Sequence, residues 1–116
     1  MGDRGNIIVR STSYNSEKPS DIYLYTHSKG SYIKDVLKAA LLRRERWDDP
    51  AYLTQIIFNE LQGDDRGSIG FGISCGICDN EHPLLFVDVD KQEVFTMTES
   101  DKKEYDRMSF EKFIES

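Results

Sequence analysis

The chain has 116 residues, of which 38% are hydrophobic and 31% are charged, and its formal net charge is −6. This length suits one domain with its own core and leaves no room for two. No apolar run approaches the roughly 18 to 20 residues that span a bilayer, and the N-terminus lacks the pattern of a signal peptide. We therefore expect a single cytoplasmic domain, residues 1–116, with no membrane partner.

The acidic residues are concentrated towards the C-terminus. Residues 1–78 hold ten Lys or Arg and ten Asp or Glu, whereas residues 79–116 hold five and eleven. Because proteins that bind DNA or RNA neutralise phosphates with basic patches, this distribution disfavours nucleic acid as a partner. An acidic surface that occupies a basic groove of another protein stays an alternative, and salt would weaken such binding strongly.

The N-terminal segment predicts a β-hairpin. Asn6–Arg10 is short and rich in β-branched residues, and Asp21–His27 alternates in the way that a strand does. A polar loop separates the two strands. The alternation of the second strand places Ile22, Leu24 and Thr26 on one face and Tyr23, Tyr25 and His27 on the other.

Two helices follow the predicted hairpin. The first extends from Tyr32 to about Arg46 with Ser31 as its N-cap. The second begins at Pro50 after the N-cap Asp49 and stops at Gly63. Their apolar residues recur at helical spacing and predict the buried stripes Ile33, Val36, Leu37, Ala40 and Leu41, and Leu53, Ile56, Ile57 and Leu61.

The C-terminal half predicts three further strands and a short helix. The strands are Ser68–Cys75, Pro83–Asp90 and Glu93–Thr98, with a tight turn at Lys91–Gln92, and the helix is Ser109–Ile114. The resulting order is ββααβββα. Because strands come in groups and helices in a pair, we predict an α+β fold with a mainly antiparallel sheet packed against the helix pair.

Cys75 and Cys78 form a C-x-x-C pair, with His82 four residues after the second cysteine. Zinc accepts two thiolates and two imidazoles, but a structural zinc site normally has a second knuckle, and the sequence holds none. A redox pair would stand at a helix N-terminus, whereas this pair follows a strand. We favour ordinary reduced cysteines, and we expect no metal and no cofactor.

The row Tyr23, Tyr25 and His27 is the most suggestive group in the sequence. Two aromatic rings and an imidazole can stack on a planar ligand and hydrogen-bond to its edges. Gly70 and Gly72 leave a shallow strip on another strand, and glycine in a strand often marks close approach by a ring, a ligand or backbone. The favoured interpretation is that the tyrosines pack across these glycines, and a binding groove is the alternative.

Arg46 and Trp47 join the two predicted helices, and Trp47 is the only tryptophan in the chain. An Arg–Trp pair is enriched at binding hot spots. The favoured alternative is that Trp47 anchors the corner between the helices.

Several segments together resemble a family of small uncharacterised bacterial and phage proteins. They are Met1–Ile7, Tyr23–His27, Arg46–Leu53, Ile56–Phe58, Gly70–Ser74 and Asp79–Leu85. The resemblance implies no particular activity. It raises Tyr25–His27, Arg46–Asp48 and Asn80 as a candidate site, and it weakens the zinc interpretation, because similar members often lack the cysteine pair.

We expect a small intracellular, non-enzymatic binding protein that acts on a protein partner or sequesters a small ligand. A phage setting would fit an inhibitor of a host system. The candidate binding residues are Tyr23, Tyr25, His27, Arg46, Trp47, Asn80 and His82. The alternative is a small enzyme that acts on a nucleotide-like substrate, with His27 or His82 as acid or base. An exposed edge strand such as the one ending at Met97 would let two copies form a homodimer.

Overall fold

The structure of the chain is a computed structural model that describes residues 2–15, 17–65 and 69–116. In these ranges it has the predicted α+β class, with the element order ββααββββα. The strands are β1 (Gly5–Ser11), β2 (Ser20–Thr26), β3 (Phe71–Ser74), β4 (Leu84–Asp88), β5 (Glu93–Met97) and β6 (Glu104–Ser109). The α-helices are α1 (Ile33–Leu42), which follows a 3-10 turn at Gly30–Tyr32, α2 (Pro50–Gln62) and α3 (Phe110–Glu115).

The strands form one sheet in the order β3-β2-β1-β4-β5-β6. Neighbouring strands pair antiparallel, except that β1 and β4 are parallel. Parallel neighbours need a long crossover, and here the connection between them contains both α1 and α2. The predicted β1–β2 hairpin and the mainly antiparallel sheet are therefore confirmed.

The helices cover one face of the sheet and form the main core with it. The apolar stripes predicted for the first two helices enter this core, together with alternate residues of β1, β2 and β4. Burying a side chain of this size stabilises a fold by roughly 1.5–3 kcal/mol. The fully buried members include Ile7, Leu24, Leu37, Leu41, Leu53, Ile57, Leu61, Leu85 and Val87. None of the helices in the described ranges is long and apolar enough to cross a bilayer.

The helix boundaries confirm two of the predicted caps and correct one. Asp49 caps α2, because its carboxylate accepts hydrogen bonds from two backbone N–H groups of the first turn. Ser109 likewise caps α3. Ser31 as the cap of α1 is wrong: it lies in the 3-10 turn, and its own N–H donates to Asp3 Oδ2 at 2.9 Å. Helix α1 also stops at Leu42, before the positive φ angles of the loop that follows.

The last strand of the sheet was not predicted from the sequence. Five of the six residues of β6 are exposed, so the strand has no alternation of apolar and polar residues that would reveal it. It pairs with β5 through an irregularity between Val94 and Thr96. The expectation that the strand ending at Met97 is an exposed edge is therefore wrong, since β5 is an interior strand, and the sheet ends at β3 and β6.

Candidate functional site

The sheet face opposite the helices carries a row of large side chains that crosses four strands. Tyr23 of β2 pairs with Ile8 of β1, and Ile8 is in register with Phe86 of β4. Phe86 in turn pairs with Phe95 of β5. These residues form a second apolar cluster, separate from the one under the helices. We call this side of the sheet, defined by Ile8, Tyr23, Phe86 and Phe95, the aromatic face.

Two arginines close the row from either side. The rings of Phe86 and Phe95 are parallel, with their centroids 4.9 Å apart. The guanidinium carbon of Arg10 lies 4.8 Å from the centroid of Phe86, and that of Arg107 lies 4.3 Å from the centroid of Phe95. A cation over a ring at such distances contributes about 0.5–2 kcal/mol, depending on its desolvation. The two phenylalanines and the two arginines therefore form a cation–ring–ring–cation stack.

Carboxylates hold both guanidinium groups in place. Arg10 donates to the two carboxylate oxygens of Asp21 at 2.8 and 3.0 Å, and this pairing raises the pKa of Arg10. Arg107 donates to Glu93 at 2.6 Å and to Glu104 at 2.7 Å. Paired in this way, the two planar groups keep a fixed orientation over the rings.

A cavity of about 330 Å³ opens at the margin of the aromatic face. Its apolar lining is Tyr23, Ile77, Leu84, Phe86 and Met97, and its polar lining is Arg10, Thr98, Glu99 and Lys102. Burial raises the pKa of the Tyr23 hydroxyl, so this group is a neutral donor and acceptor at neutral pH. The volume lies at the lower end of the range, roughly 300–1,000 Å³, that small-molecule sites occupy.

Tyr25 follows Tyr23 on the same face of β2, and His27 comes directly after the end of this strand. The Tyr25 hydroxyl lies 3.3 Å from His27 Nδ1. Burial, and then the charge of Asp79, raises the pKa of Tyr25. Across the strand pair, Tyr25 is in register with Gly72 but Tyr23 is in register with Ser74, so β2 and β3 are neighbours and one of the two tyrosines lies opposite a glycine.

Asp3 fastens the N-terminal segment to His82 and to the turn before α1. Its carboxylate accepts the Ser31 N–H and makes a hydrogen bond with His82 Nε2. Hydrogen bonds from Ser31 first, and then from His82, lower the pKa of Asp3 to about 2. At neutral pH the carboxylate is therefore charged, and it fixes one edge of the His82 ring.

Asn80 links the loop before β4 to its surroundings. Its Nδ2 donates to Glu99 at 2.9 Å, and its Oδ1 accepts from Asn6 Nδ2 at 3.2 Å. Asn6 is completely buried, and its Oδ1 has no hydrogen-bond donor among the described residues. A buried amide oxygen of this kind is satisfied by water or by a ligand donor.

Five of the seven predicted site residues fall into two groups. Tyr23 and Tyr25 lie on β2 with His27 directly after it, and Asn80 and His82 lie on the loop that passes the N-terminal segment. Both histidines lie against glycines: a Cβ on Gly2 would be 2.8 Å from the His27 ring, and one on Gly30 would be 2.5 Å from the His82 ring.

Arg46 and Trp47 lie on the helix side of the sheet, away from the other predicted residues. Trp47 donates from Nε1 to the Leu41 carbonyl at 3.2 Å and meets Phe110 edge to face, with centroids 5.4 Å apart. The Arg46 guanidinium lies 4.7 Å from the ring centroid of Tyr52. This geometry matches the favoured alternative, in which Trp47 anchors the corner between the helices.

Cys75 and Cys78 are exposed free thiols. The Cys78 Sγ lies 3.6 Å from the Ser74 hydroxyl. In the described ranges, the His, Cys, Asp and Glu side chains form no group of three or more that could hold a metal ion.

The residues that sequence reasoning missed are those whose role depends on register. Phe95 meets Phe86 because the β4–β5 connection has four residues, Val89–Gln92, and this length sets which residues face each other. Arg10 and Phe86 carry a sequence signal, since each alternates with helix-facing residues of its own strand. Asp3 carries no sequence signal of its role, because its partner His82 is 79 residues away in the chain.

The chain matches no protein-family model, no curated protein and no solved structure. The family resemblance described from the sequence stays a prediction, and function has to be inferred from the geometry.

Proposed function

We propose that the protein is a non-enzymatic binding protein that holds a small planar ligand in the cavity on its aromatic face. The observation that carries this proposal is the lining of the 330 Å³ cavity, in which Tyr23, Phe86 and Met97 meet the cationic groups of Arg10 and Lys102. Aromatic rings and a thioether favour the flat face of a ring system. A cation at the margin recognises an acidic group on it.

Lys102 is the cation of the lining that is left to face a ligand. Arg10 is paired with Asp21, and the Glu99 carboxylate keeps its negative charge while it accepts a hydrogen bond from Asn80. In the part of the chain that the structure describes, Lys102 makes no ion pair. The ligand class that fits this arrangement is a planar aromatic compound with one acidic group, of a size that fills roughly 300 Å³.

Anilinonaphthalene sulfonate, an aromatic anion with a flat naphthalene ring that fluoresces in apolar sites, is a suitable probe. We expect it to bind the native protein, and we expect Tyr23→Ser to raise its dissociation constant roughly tenfold through the loss of a stacked ring. Lys102→Gln should weaken binding less and reduce its dependence on salt. Thermal unfolding of each variant checks that the fold is retained.

Tyr14→Ser is the matched control. Tyr14 is exposed and borders a different cavity of about 320 Å³, between β1, β2 and the start of α2. The proposal requires this variant to bind the probe as the unchanged protein does. Loss of binding in Tyr14→Ser, with no effect of Tyr23→Ser, would place the site in that other cavity.

Native mass spectrometry of untagged protein tests for the natural ligand. A non-covalent excess of roughly a few hundred daltons per chain, lost in Tyr23→Ser, is the expected result for a sequestering protein. If only the bare chain mass is found, a protein partner replaces the small ligand as the leading hypothesis.

A small enzyme is the second candidate, and the pairing of Asp3 with His82 is the observation that favours it. A carboxylate that orients an imidazole is a common arrangement in general acid–base catalysis. His82 also borders an open cleft of about 380 Å³ together with Asn80, Glu81 and Glu99. Turnover of a panel of nucleotides that disappears in His82→Gln would favour this candidate, whereas the binding proposal predicts no turnover by either protein.

A further inference from the structure

Strand β3 is an edge of the sheet without the usual protection. Exposed edges are normally blunted by charged side chains, proline or a bulge, because their free backbone groups can pair with another chain. The opposite edge, β6, follows this rule: it contains Glu104, Asp106 and Arg107 and is irregular where it pairs with β5. By contrast, residues 69–78 contain neither a charged residue nor a proline.

The alternation of hydrogen-bonded pairs between β2 and β3 shows which backbone groups of β3 point away from the sheet. His27 donates its N–H to the Gly70 carbonyl at 2.8 Å, which makes residues 27 and 70 a hydrogen-bonded pair. Such pairs alternate along antiparallel strands, so the next ones are Tyr25 with Gly72 and Tyr23 with Ser74. The backbone N–H and C=O groups of Phe71 and Ile73 therefore point away from β2, towards a side where the described chain places no strand.

The side chains around this edge are apolar and open to solvent. Ile73 is 59% exposed, Ile69 is 101% exposed and Ile77 is 41% exposed. The chain has a net charge of −6, so two copies repel each other over much of their surface. Residues 69–78 carry no charged side chain, so two copies can meet at this edge without like charges at the contact.

We propose that β3 pairs antiparallel with β3 of a second copy of this chain, around a twofold axis at Gly72. Phe71 then faces the second copy's Ile73, Ile73 faces its Phe71, and the two Gly72 residues face each other. The outward groups of Phe71 and Ile73 form roughly four backbone hydrogen bonds across the axis. The two sheets become one continuous sheet, in which the contact uses the same residues on both copies.

The partner proposed for this edge is a second copy of the chain, because β3 is complementary to itself when two copies pair antiparallel. The register joins each outward donor to an outward acceptor, and it places an aromatic residue opposite a β-branched one, a favourable cross-strand pair. Gly72 at the axis puts no side chain between the copies, and a Cβ built there meets nothing within 4 Å. The contact is small, and interfaces below about 1,200 Å² are typical of weak, reversible complexes.

A disulfide test reads the register directly. In a background with Cys75→Ser and Cys78→Ser, Gly72→Cys places two thiols opposite each other in a non-hydrogen-bonded pair, with Cα atoms about 4.5 Å apart. This separation suits a disulfide, which needs roughly 4.4–6.8 Å. We expect mild oxidation to give a covalent dimer in high yield.

Ser74→Cys in the same background is the matched control. The proposed register separates the two residues at this position by about 13 Å, so little crosslinking is expected. Crosslinking of Ser74→Cys as fast as that of Gly72→Cys would overturn the proposal.

The unmodified chain provides the second test. Light scattering at concentrations up to several hundred micromolar should show the mass rising from 13.4 kDa towards twice that value. Ile73→Lys should keep the chain monomeric, because it puts two like charges beside the axis, whereas Leu42→Lys, at an equally exposed apolar residue of α1, should dimerise normally. A native chain that stays monomeric throughout, or a Leu42→Lys variant that loses the dimer as Ile73→Lys does, would overturn the proposal. Probe binding on the aromatic face is measured separately, so the two proposals fail independently.

Discussion

The two faces of the sheet use the same strands but bury their side chains in different ways. Leu24 of β2 and Leu84 of β4 lie on opposite sides of the sheet, and they are 0% and 4% exposed. Leu24 is enclosed in the core formed with the helices, whereas Leu84 borders the cavity on the aromatic face. Similar burial therefore hides a difference: one leucine is surrounded by packed side chains, and the other borders space that a ligand can fill.

The forces that stabilise the two faces differ as well. The helix side depends on aliphatic side chains, whose contribution follows buried area and tolerates small changes of angle. The aromatic face depends on rings and on arginines held by carboxylates, which need a defined geometry. Such a face is suited to recognition, because its rings and arginine side chains are already held in position before a ligand binds.

The largest expected effect comes from truncating one leucine on each side of the sheet. Leu24→Ala should lower the free energy of unfolding by about 2–5 kcal/mol, because it opens a hole among closely packed side chains. Leu84→Ala should cost less than half as much, since it only widens an existing cavity. Urea denaturation of both variants measures the difference, and equal losses would mean that the aromatic face is as closely packed as the helix face.

A smaller effect is expected from the arginine at one end of the ring stack. Arg10→Met removes two hydrogen bonds and a cation–π contact and leaves Asp21 without its partner. The free energy of unfolding should fall by about 1–3 kcal/mol. Asp21→Asn and the double variant complete a double-mutant cycle, and strictly additive losses would contradict a coupled pair.

The local pattern of the sequence predicts which residues of one strand share a face of the sheet. It does not predict which residues of different strands come together on that face. Alternation in β2 places Tyr23 and Tyr25 together, and the structure confirms their shared face, because a strand has a period of two whatever its neighbours are. Strand β6 escapes prediction because both of its sides are mostly exposed, so no alternation is needed. Local pattern is reliable where one side of an element is buried and carries little information elsewhere.

The candidate site illustrates a second limit. The structure separates Arg46 and Trp47 from Tyr23 and Tyr25. Trp47 donates a hydrogen bond to Leu41 and packs on Phe110 of α3, and Arg46 lies over Tyr52 of α2. Asp3 meets His82 only after the sheet brings the N-terminal segment beside the loop before β4. No spacing in the sequence records either relation, since both depend on how segments far apart in the chain pack together.

The smallest expected effect concerns Asp3, which ties the polar end of the aromatic face to the helix side through Ser31. Its pKa is lowered from 3.8 to about 2, so folding favours the charged carboxylate. The stability that this carboxylate adds is fully present above the unfolded pKa and is lost as the pH falls from 3.8 through about 2. Asp3→Asn should therefore be less stable than the native chain at about pH 6, and the difference should shrink as the pH falls below 3.8 and vanish below about pH 2.

Glu17→Gln is the control for this measurement, because the Glu17 carboxylate has no hydrogen bond or ion pair within the described ranges. Urea midpoints across the acid range should be nearly the same for Glu17→Gln and the native chain. Asparagine at position 3 can still accept the Ser31 N–H through its amide oxygen, so the pH-dependent part of the loss reports the charge rather than that hydrogen bond. A loss in Asp3→Asn that stays constant down to pH 2 would mean that shape and hydrogen bonding, not charge, fasten this end of the aromatic face to the turn before α1.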